Sequence, residues 1–367
     1  MQNYKREKIN NLSSQKSVNI QRKSQLLFIG MAKHLKRLSL LLKNRQQMFL
    51  QLESLPDEVL LIIFSYFKIQ ELLHCSRVSK RIRRICHDKS LWKKIDLSNM
   101  KVEAEFIKAI LENDCENLNL QNTQIGGSIQ LSKTSKLMYL NLTTVDYGFP
   151  SVFHEILLSC CSLQKLMLEF PFPASLTGYF RSFLNTALQK FCSQNGQTLR
   201  TLNICLLNWL STKSVQMIVM HCTKLQEISF EYLTRILDQN TFNQLVSGLN
   251  PSIEKVSFAG NKELTDENIE TLVSKCNKIT SLDISGIRFL TNNVITSIWN
   301  HLKLSLRELD IAACPNIELE KVLELKSLSK LKVLNYGSYP LDEMPALRKK
   351  LPHLMINKKI GLRIAEI

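Results

Sequence analysis

Residues 253–311, IEKVSFAGNKELTDENIETLVSKCNKITSLDISGIRFLTNNVITSIWNHLKLSLRELDI, hold the pattern that decides the fold. The spacing L-x-x-L-x-L occurs in them three times, with Ile, Val or Phe accepted at the apolar positions: Ile253/Val256/Phe258, Ile279/Leu282/Ile284 and Leu306/Leu309/Ile311. The starts are 26 and 27 residues apart. Apolar residues alternate with others inside each copy, as in a short strand whose successive side chains point to opposite faces. The return segments have helical spacing instead; just upstream, Phe242, Leu245, Val246 and Leu249 fall at i, i+3, i+4 and i+7. A lone strand-helix unit cannot cover its own apolar side, so neighbours must stack into one continuous interior.

Outward from this centre the spacing recurs at Leu137/Leu140/Leu142, Leu163/Leu166/Leu168, Leu199/Leu202/Ile204, Leu225/Ile228/Phe230 and Leu351/Leu354/Ile356. Weaker copies lie at Trp92/Ile95/Leu97, around Leu118/Leu120 and at 328–334. The period resembles that of leucine-rich repeats, which run at roughly 20–29 residues. The resemblance implies an α/β horseshoe with parallel strands on the concave face and helices on the convex face. Cys161, Cys222 and Cys276 recur two or three residues before a strand and Cys314 lies three after Ile311, which resembles the cysteine-containing subclass, where small buried thiols fill the turns. One step, Leu163 to Leu199, is 36 residues long. Phe180, Phe183, Leu184, Ala187, Leu188 and Phe191 fill it at helical spacing, so it reads as a longer return helix, led in by Phe170-Pro171-Phe172-Pro173, a loop open to partner contact.

In front of the repeats stands LPDEVLLIIFSYFKIQELLHCSRVSKRIRRICHDKSLWKKIDL, residues 55–97. Pro56 suits the first position of a helix, and Asp57 and Glu58 place negative charge at its positive end. The run Val59-Leu60-Leu61-Ile62-Ile63-Phe64 is apolar on nearly every side. Ile69, Leu72 and Leu73 begin a second short helix, and Val78, Ile82, Ile85 and Cys86 fall at i, i+4, i+7 and i+8 on a third. A three-helix unit of about forty residues can bury only one flank of the first helix. The other flank is expected to meet a second polypeptide.

The Leu55-Pro56-Asp57-Glu58 opening, the apolar run to Phe67, Leu72-Leu73, Val78 with its basic segment, and Leu91-Trp92 resemble the F-box family. The resemblance implies docking on the Skp adaptor of a cullin-RING ubiquitin ligase through Leu55, Pro56, Glu58, Val59, Leu60, Ile63, Phe64, Leu72, Val78 and Trp92. An F-box followed directly by repeats resembles the F-box/leucine-rich-repeat receptors as a class. Residues 323–357 are similar in particular to the end of the array in the S-phase-kinase-associated branch of that family. The implied function is that of a substrate-recognition subunit of an SCF ligase, presenting a protein, phosphorylated in that branch and there a cell-cycle regulator, for ubiquitination and degradation. A non-ligase repeat scaffold or inhibitor is the alternative.

Specificity would then lie on the concave wall, where Glu169, Asn203, Glu231, Tyr232, Asp283 and Asp310 are the candidate substrate contacts. Small or acidic side chains there suit a basic or polar protein segment better than an anion. Gly286 and Ala313 stand where the S-phase-kinase-associated branch carries side chains for an accessory phosphate-reading protein, so that partner does not follow from the resemblance. This chain also ends at Ile367, soon after the last strand copy, where that branch continues into a long tail across the concave face.

The 367 residues divide into a basic leader 1–50, the F-box 51–97, the array 98–357 and a short tail 358–367. Lys and Arg number 48 against 32 Asp and Glu, a net +16, and the leader alone holds 11 of these cations against Glu7. Its first 25 residues are polar enough to stay disordered, and a basic amphipathic helix can follow from about residue 26. Nuclear import, nucleic-acid contact, substrate recruitment, mitochondrial targeting and a solvated tail are all open to such a leader, and nucleic acid is not the expected partner of the chain. No apolar run reaches the roughly 18 residues that span a membrane. Ten cysteines without a C-x-x-C pair read as reduced thiols, which fits nucleus or cytoplasm. The seven histidines sit in unrelated contexts, and no catalytic, metal-binding or phosphate-loop motif is present. A non-catalytic chain without cofactor or metal is expected.

Overall fold

The computed structural model describes residues 54–146, 150–169, 178–207, 209–234, 236–337 and 344–357. The leader 1–50, the tail 358–367 and the lead-in 170–173 lie outside the described residues.

Three short helices open the fold: α1 (Asp57–Phe64), α2 (Ile69–Cys75) and α3 (Lys80–Cys86), closed by a 3-10 turn at Lys89–Trp92. Each start has a local cause. Pro56 stands one position before α1 rather than at its first residue, with ψ 151°, and its carbonyl accepts from the Val59 and Leu60 amides. The Glu71 carboxylate reaches back to the Lys68 amide at 2.7 Å, and the Ser79 hydroxyl accepts from the Ile82 amide at 3.2 Å. Leu60, Phe64, Leu72, Ile82, Ile85, Cys86 and Leu91 form the small core these helices share.

Most of the remainder is one 11-stranded parallel sheet with a helix or loop after each strand. Its strands are β1 (Lys94–Asp96), β3 (Asn117–Asn119), β5 (Tyr139–Thr143), β6 (Lys165–Glu169), β7 (Thr201–Cys205), β8 (Glu227–Glu231), β9 (Lys255–Ser257), β10 (Ser281–Asp283), β11 (Glu308–Asp310), β12 (Val333–Asn335) and β13 (Met355–Ile356). They pair in chain order, and the register follows the repeat: Leu282 lies between Val256 and Leu309. The sheet thus begins at Lys94, inside the segment assigned to the F-box. A second, two-stranded sheet joins β2 (Lys101–Glu103) to β4 (Gln124–Gly126).

The return helices are α4 (Ala104–Glu112), α5 (Pro150–Ser159), α6 (Gly178–Asn195), α7 (Thr212–His221), α8 (Gln239–Gly248), α9 (Asp266–Lys275), α10 (Asn292–Leu302), α11 (Leu319–Val322) and α12 (Met344–Lys350). The 36-residue step contains α6, whose 18 residues make it the longest helix described. Every apolar position of the three copies between 253 and 311 is buried in one core that runs the length of the array.

Strand ends repeat a backbone feature as well. Asn99, Asn122, Thr144, Leu206, Tyr232, Gly260, Gly286 and Ala313 all have positive φ, between 52° and 72°. Each donates its amide to a carbonyl of the next repeat, as Tyr232 does to Ala259 and Gly286 to Ala312. This left-handed corner turns the chain off the sheet once per repeat. Gly286 suits this corner because it has no Cβ, whereas Ala313, like Leu206 and Tyr232, holds it at a backbone cost.

The cysteine reading needs one correction. Cys222 and Cys276 are buried, but Cys161 is exposed and Cys160 takes the interior place. Cys160 stands three residues before Leu163, as Cys222 does before Leu225 and Cys276 before Ile279, so the buried thiol keeps strict register. Burial pushes the Cys160 thiol up to about 12 and those of Cys276 and Cys314 up to about 11. These groups are packing elements, far from forming thiolate at neutral pH.

Candidate functional site

The outer face of α1 comes from an apolar run that its own bundle covers on one side. Leu60 and Phe64, four residues apart, point into the bundle. Val59 and Ile62, at i and i+3, lie on the other side, exposed by 39% and 62%, and Tyr66 in the turn after α1 is exposed by 67%. Pro56 and Glu58 are exposed beside them, and Leu55 and Ile63 are half-buried at the margin. Val78 is also exposed, and it leads into α3.

Charge pairs fix this face in place. Arg81 donates to Asp57 Oδ1 from Nε at 2.9 Å and from a terminal nitrogen at 2.6 Å, and it also donates to the Leu55 carbonyl. Arg84 donates to Asp57 Oδ2 at 2.6 Å. Two arginines of α3 therefore hold the first turn of α1. The Arg81 hydrogen bond, helped by Arg84, keeps the Asp57 carboxyl below the usual carboxylate range.

Four residues expected on the adaptor face are elsewhere. Leu60, Phe64 and Leu72 are buried in the bundle core, so they set the shape of the face without forming it. Trp92 is at the joint. Its Nε1 donates to the Cys86 carbonyl at 2.7 Å, and its ring stacks on His87 and meets Phe106 of α4 edge-on, with centroids 6.5 Å apart. It packs against both the bundle and the array core. Ile62 is not among the residues expected on this face, although placing Leu60 and Phe64 inward puts it outward by helical period; Tyr66 is exposed in the turn that follows.

The concave wall differs more from expectation. Glu169, Asn203, Glu231, Asp283 and Asp310 are buried rather than presented to solvent, and Tyr232 is half-buried. Asp283 Oδ1 accepts from the Ser285 amide at 3.1 Å and hydroxyl at 2.7 Å, and Asp310 Oδ1 accepts from the Ala312 amide at 3.0 Å. The same i to i+2 bond recurs at Asp96 with Ser98, Asn119 with Gln121 and Asn141 with Thr143. These side chains are Asx-turn acceptors that shape the corner after each strand. Glu231 accepts from the hydroxyls of Ser229 at 2.9 Å and Ser257 at 2.7 Å. Tyr232 occupies a left-handed corner with its ring against Gly260. The alternation of the strands was legible; the consumption of the carboxylates by the chain's own donors was not.

Among the described residues no group of three His, Cys, Asp or Glu could hold a metal ion, and no helix is long and apolar enough to cross a membrane.

Comparison with known proteins agrees with both halves. Residues 52–98 match the F-box-like family and residues 175–366 match the SKP2 LRR domain family. Lysine-specific demethylase 2A of Xenopus tropicalis is 24% identical over 258 residues, covering 69% of this chain and 22% of that protein. F-box/LRR-repeat protein 5 of Bos taurus is 21% identical over 260 residues, covering 71% and 35%. F-box/LRR-repeat protein 12 of Homo sapiens is 45% identical over 47 residues, 13% of this chain and 14% of that protein. The chain thus spans at most about a third of the length of these relatives. With an F-box bundle whose first helix turns an apolar stripe outward, and a repeat array that the SKP2 LRR domain family matches over more than half the chain, this protein belongs to the F-box/leucine-rich-repeat family, near its SKP2 branch.

Proposed function

We propose that the chain is the substrate-receptor subunit of an SCF ubiquitin ligase, docking on a Skp-family adaptor, and through it on cullin and RING subunits, by the outer face of α1. The observation that carries this reading is that Val59 and Ile62 of α1, with Tyr66 in the turn just after it, are exposed while the opposite side of the helix is already buried in its own bundle. Covering such side chains is favourable by about 1.5–3 kcal/mol each when burial is complete. Asp57, fixed by Arg81 and Arg84, holds the Leu55-Pro56 opening in one conformation before any partner arrives, which lowers the cost of ordering on association.

The array would bind the protein to be modified. The chain's contribution is then proximity: holding a substrate lysine near a charged conjugating enzyme replaces a bimolecular encounter by a local one, with the chemistry on other subunits. The substrate contacts belong on surfaces other than the five buried concave side chains, and nothing in the corner residues Gly286 and Ala313 favours an accessory phosphate reader.

The test is co-purification of the full chain with the adaptor. Ile62→Asp is expected to abolish adaptor capture while leaving the melting temperature unchanged, because Ile62 makes no core contact. Undiminished capture by Ile62→Asp and by Tyr66→Asp together would refute the docking face.

A further inference from the structure

The C-terminal repeats carry a second exposed surface, distant in sequence from the F-box, where α10 ends and β11 begins. Leu304 is 72% exposed there, the most exposed large apolar side chain described. Trp299 of α10 is 39% exposed, and its Nε1 donates to the Ser327 hydroxyl of the following repeat at 2.7 Å. Lys303 holds its ammonium 5.0 Å from the centre of the Trp299 ring. The Arg307 carbonyl accepts from the Lys332 amide at 2.8 Å, which sets these two exposed cations on adjacent repeats, and exposed Lys330 stands two residues before Lys332. Among the described residues no ion pair joins Arg307, Lys330 or Lys332 to an acid; nearby Glu324 pairs with Lys321.

We propose that this rim is a docking surface for an acidic segment of a partner protein that also carries an aliphatic or aromatic side chain. Charge complementarity selects the acids, which meet Lys303, Arg307, Lys330 and Lys332. Leu304 and the open part of Trp299 select the apolar residue between them. A nucleic acid would satisfy the cations through its phosphates but offers the Leu304 side chain nothing comparable. An anionic membrane would need a wider apolar face than one leucine beside a tryptophan whose polar edge is already engaged. The surface is independent of the F-box face and survives any outcome there.

The experiment uses the full chain and a fluorescent peptide of alternating Glu and Leu, read by anisotropy, with a Gln-Leu peptide, a short DNA duplex and phosphatidylserine vesicles as the other probes. The Glu-Leu peptide is expected to bind, to weaken about tenfold with Lys330→Glu/Lys332→Glu and about fivefold with Leu304→Asp, and to weaken further as salt rises from about 50 to 300 mM. These positions are exposed, so the melting temperature of each variant should match the parent and separates a lost contact from a lost fold. Absence of peptide binding, equal binding of the Gln-Leu peptide, indifference to either variant, or duplex or vesicle binding that ignores Leu304 would each overturn the proposal.

Discussion

At the scale of single residues, acids in this protein mostly complete local geometry. Asp57 is the case with a pH signature. Its folded pKa is lowered chiefly by the Arg81 hydrogen bond, so the stabilisation from its pairs is fully present above the unfolded carboxylate value of about 3.9 and is lost as pH falls through the lower folded value. Acid titration of the parent should therefore show loss of F-box stability below about pH 4 that Asp57→Asn, already without the charge, does not show. Circular dichroism melts across that range check it. Asp310 acts differently, because its repeat position is filled by Asn119 and Asn141 elsewhere with the same turn bond. Asp310→Ala is expected to destabilise by about 1 kcal/mol and Asp310→Asn by much less, since the amide oxygen still accepts. Gly260 has φ 72°, and a Cβ there would stand 2.3 Å from the Tyr232 ring. Gly260→Ala should cost about 1–2 kcal/mol or more in denaturant unfolding, from the left-handed backbone alone before the clash is counted.

The sides of an element decide more than its type. In α1 neighbouring residues have opposite roles: Leu60 is in the core while Val59 and Ile62 face out. Leu60→Ala should cost about 2–5 kcal/mol of stability and reduce adaptor capture only through unfolding. Ile62→Asp should do the reverse. Melting temperature and capture measured on the same preparations distinguish the two. The 3-10 turn at Lys89–Trp92 shows a second element-scale effect, because Trp92 joins bundle and array. Trp92→Ala is expected to lower stability by about 3 kcal/mol and to split unfolding into separate bundle and array transitions, visible by calorimetry. The sequence presented Trp92 as one more aromatic of the F-box motif. Only the position of Phe106, two strands later on α4, makes it a joint.

For the whole molecule, the sequence by itself determined the repeat. An interval of 26 or 27 residues and an apolar triplet at each strand require parallel strands in register, because stacking is the sole way for such units to bury their apolar sides. It also determined that α1 has more apolar surface than a three-helix bundle can cover. Which residues of that helix face outward, which of Cys160 and Cys161 is interior, and whether the concave acids are available to a partner were decided by tertiary structure. Periodicity specifies the direction of a side chain to within a face, whereas exposure depends on the donors and neighbours that adjacent repeats bring within about 3 Å. Asp283 and Asp310 have the right direction for a binding wall, and their carboxylates are spent on the turns of their own repeats.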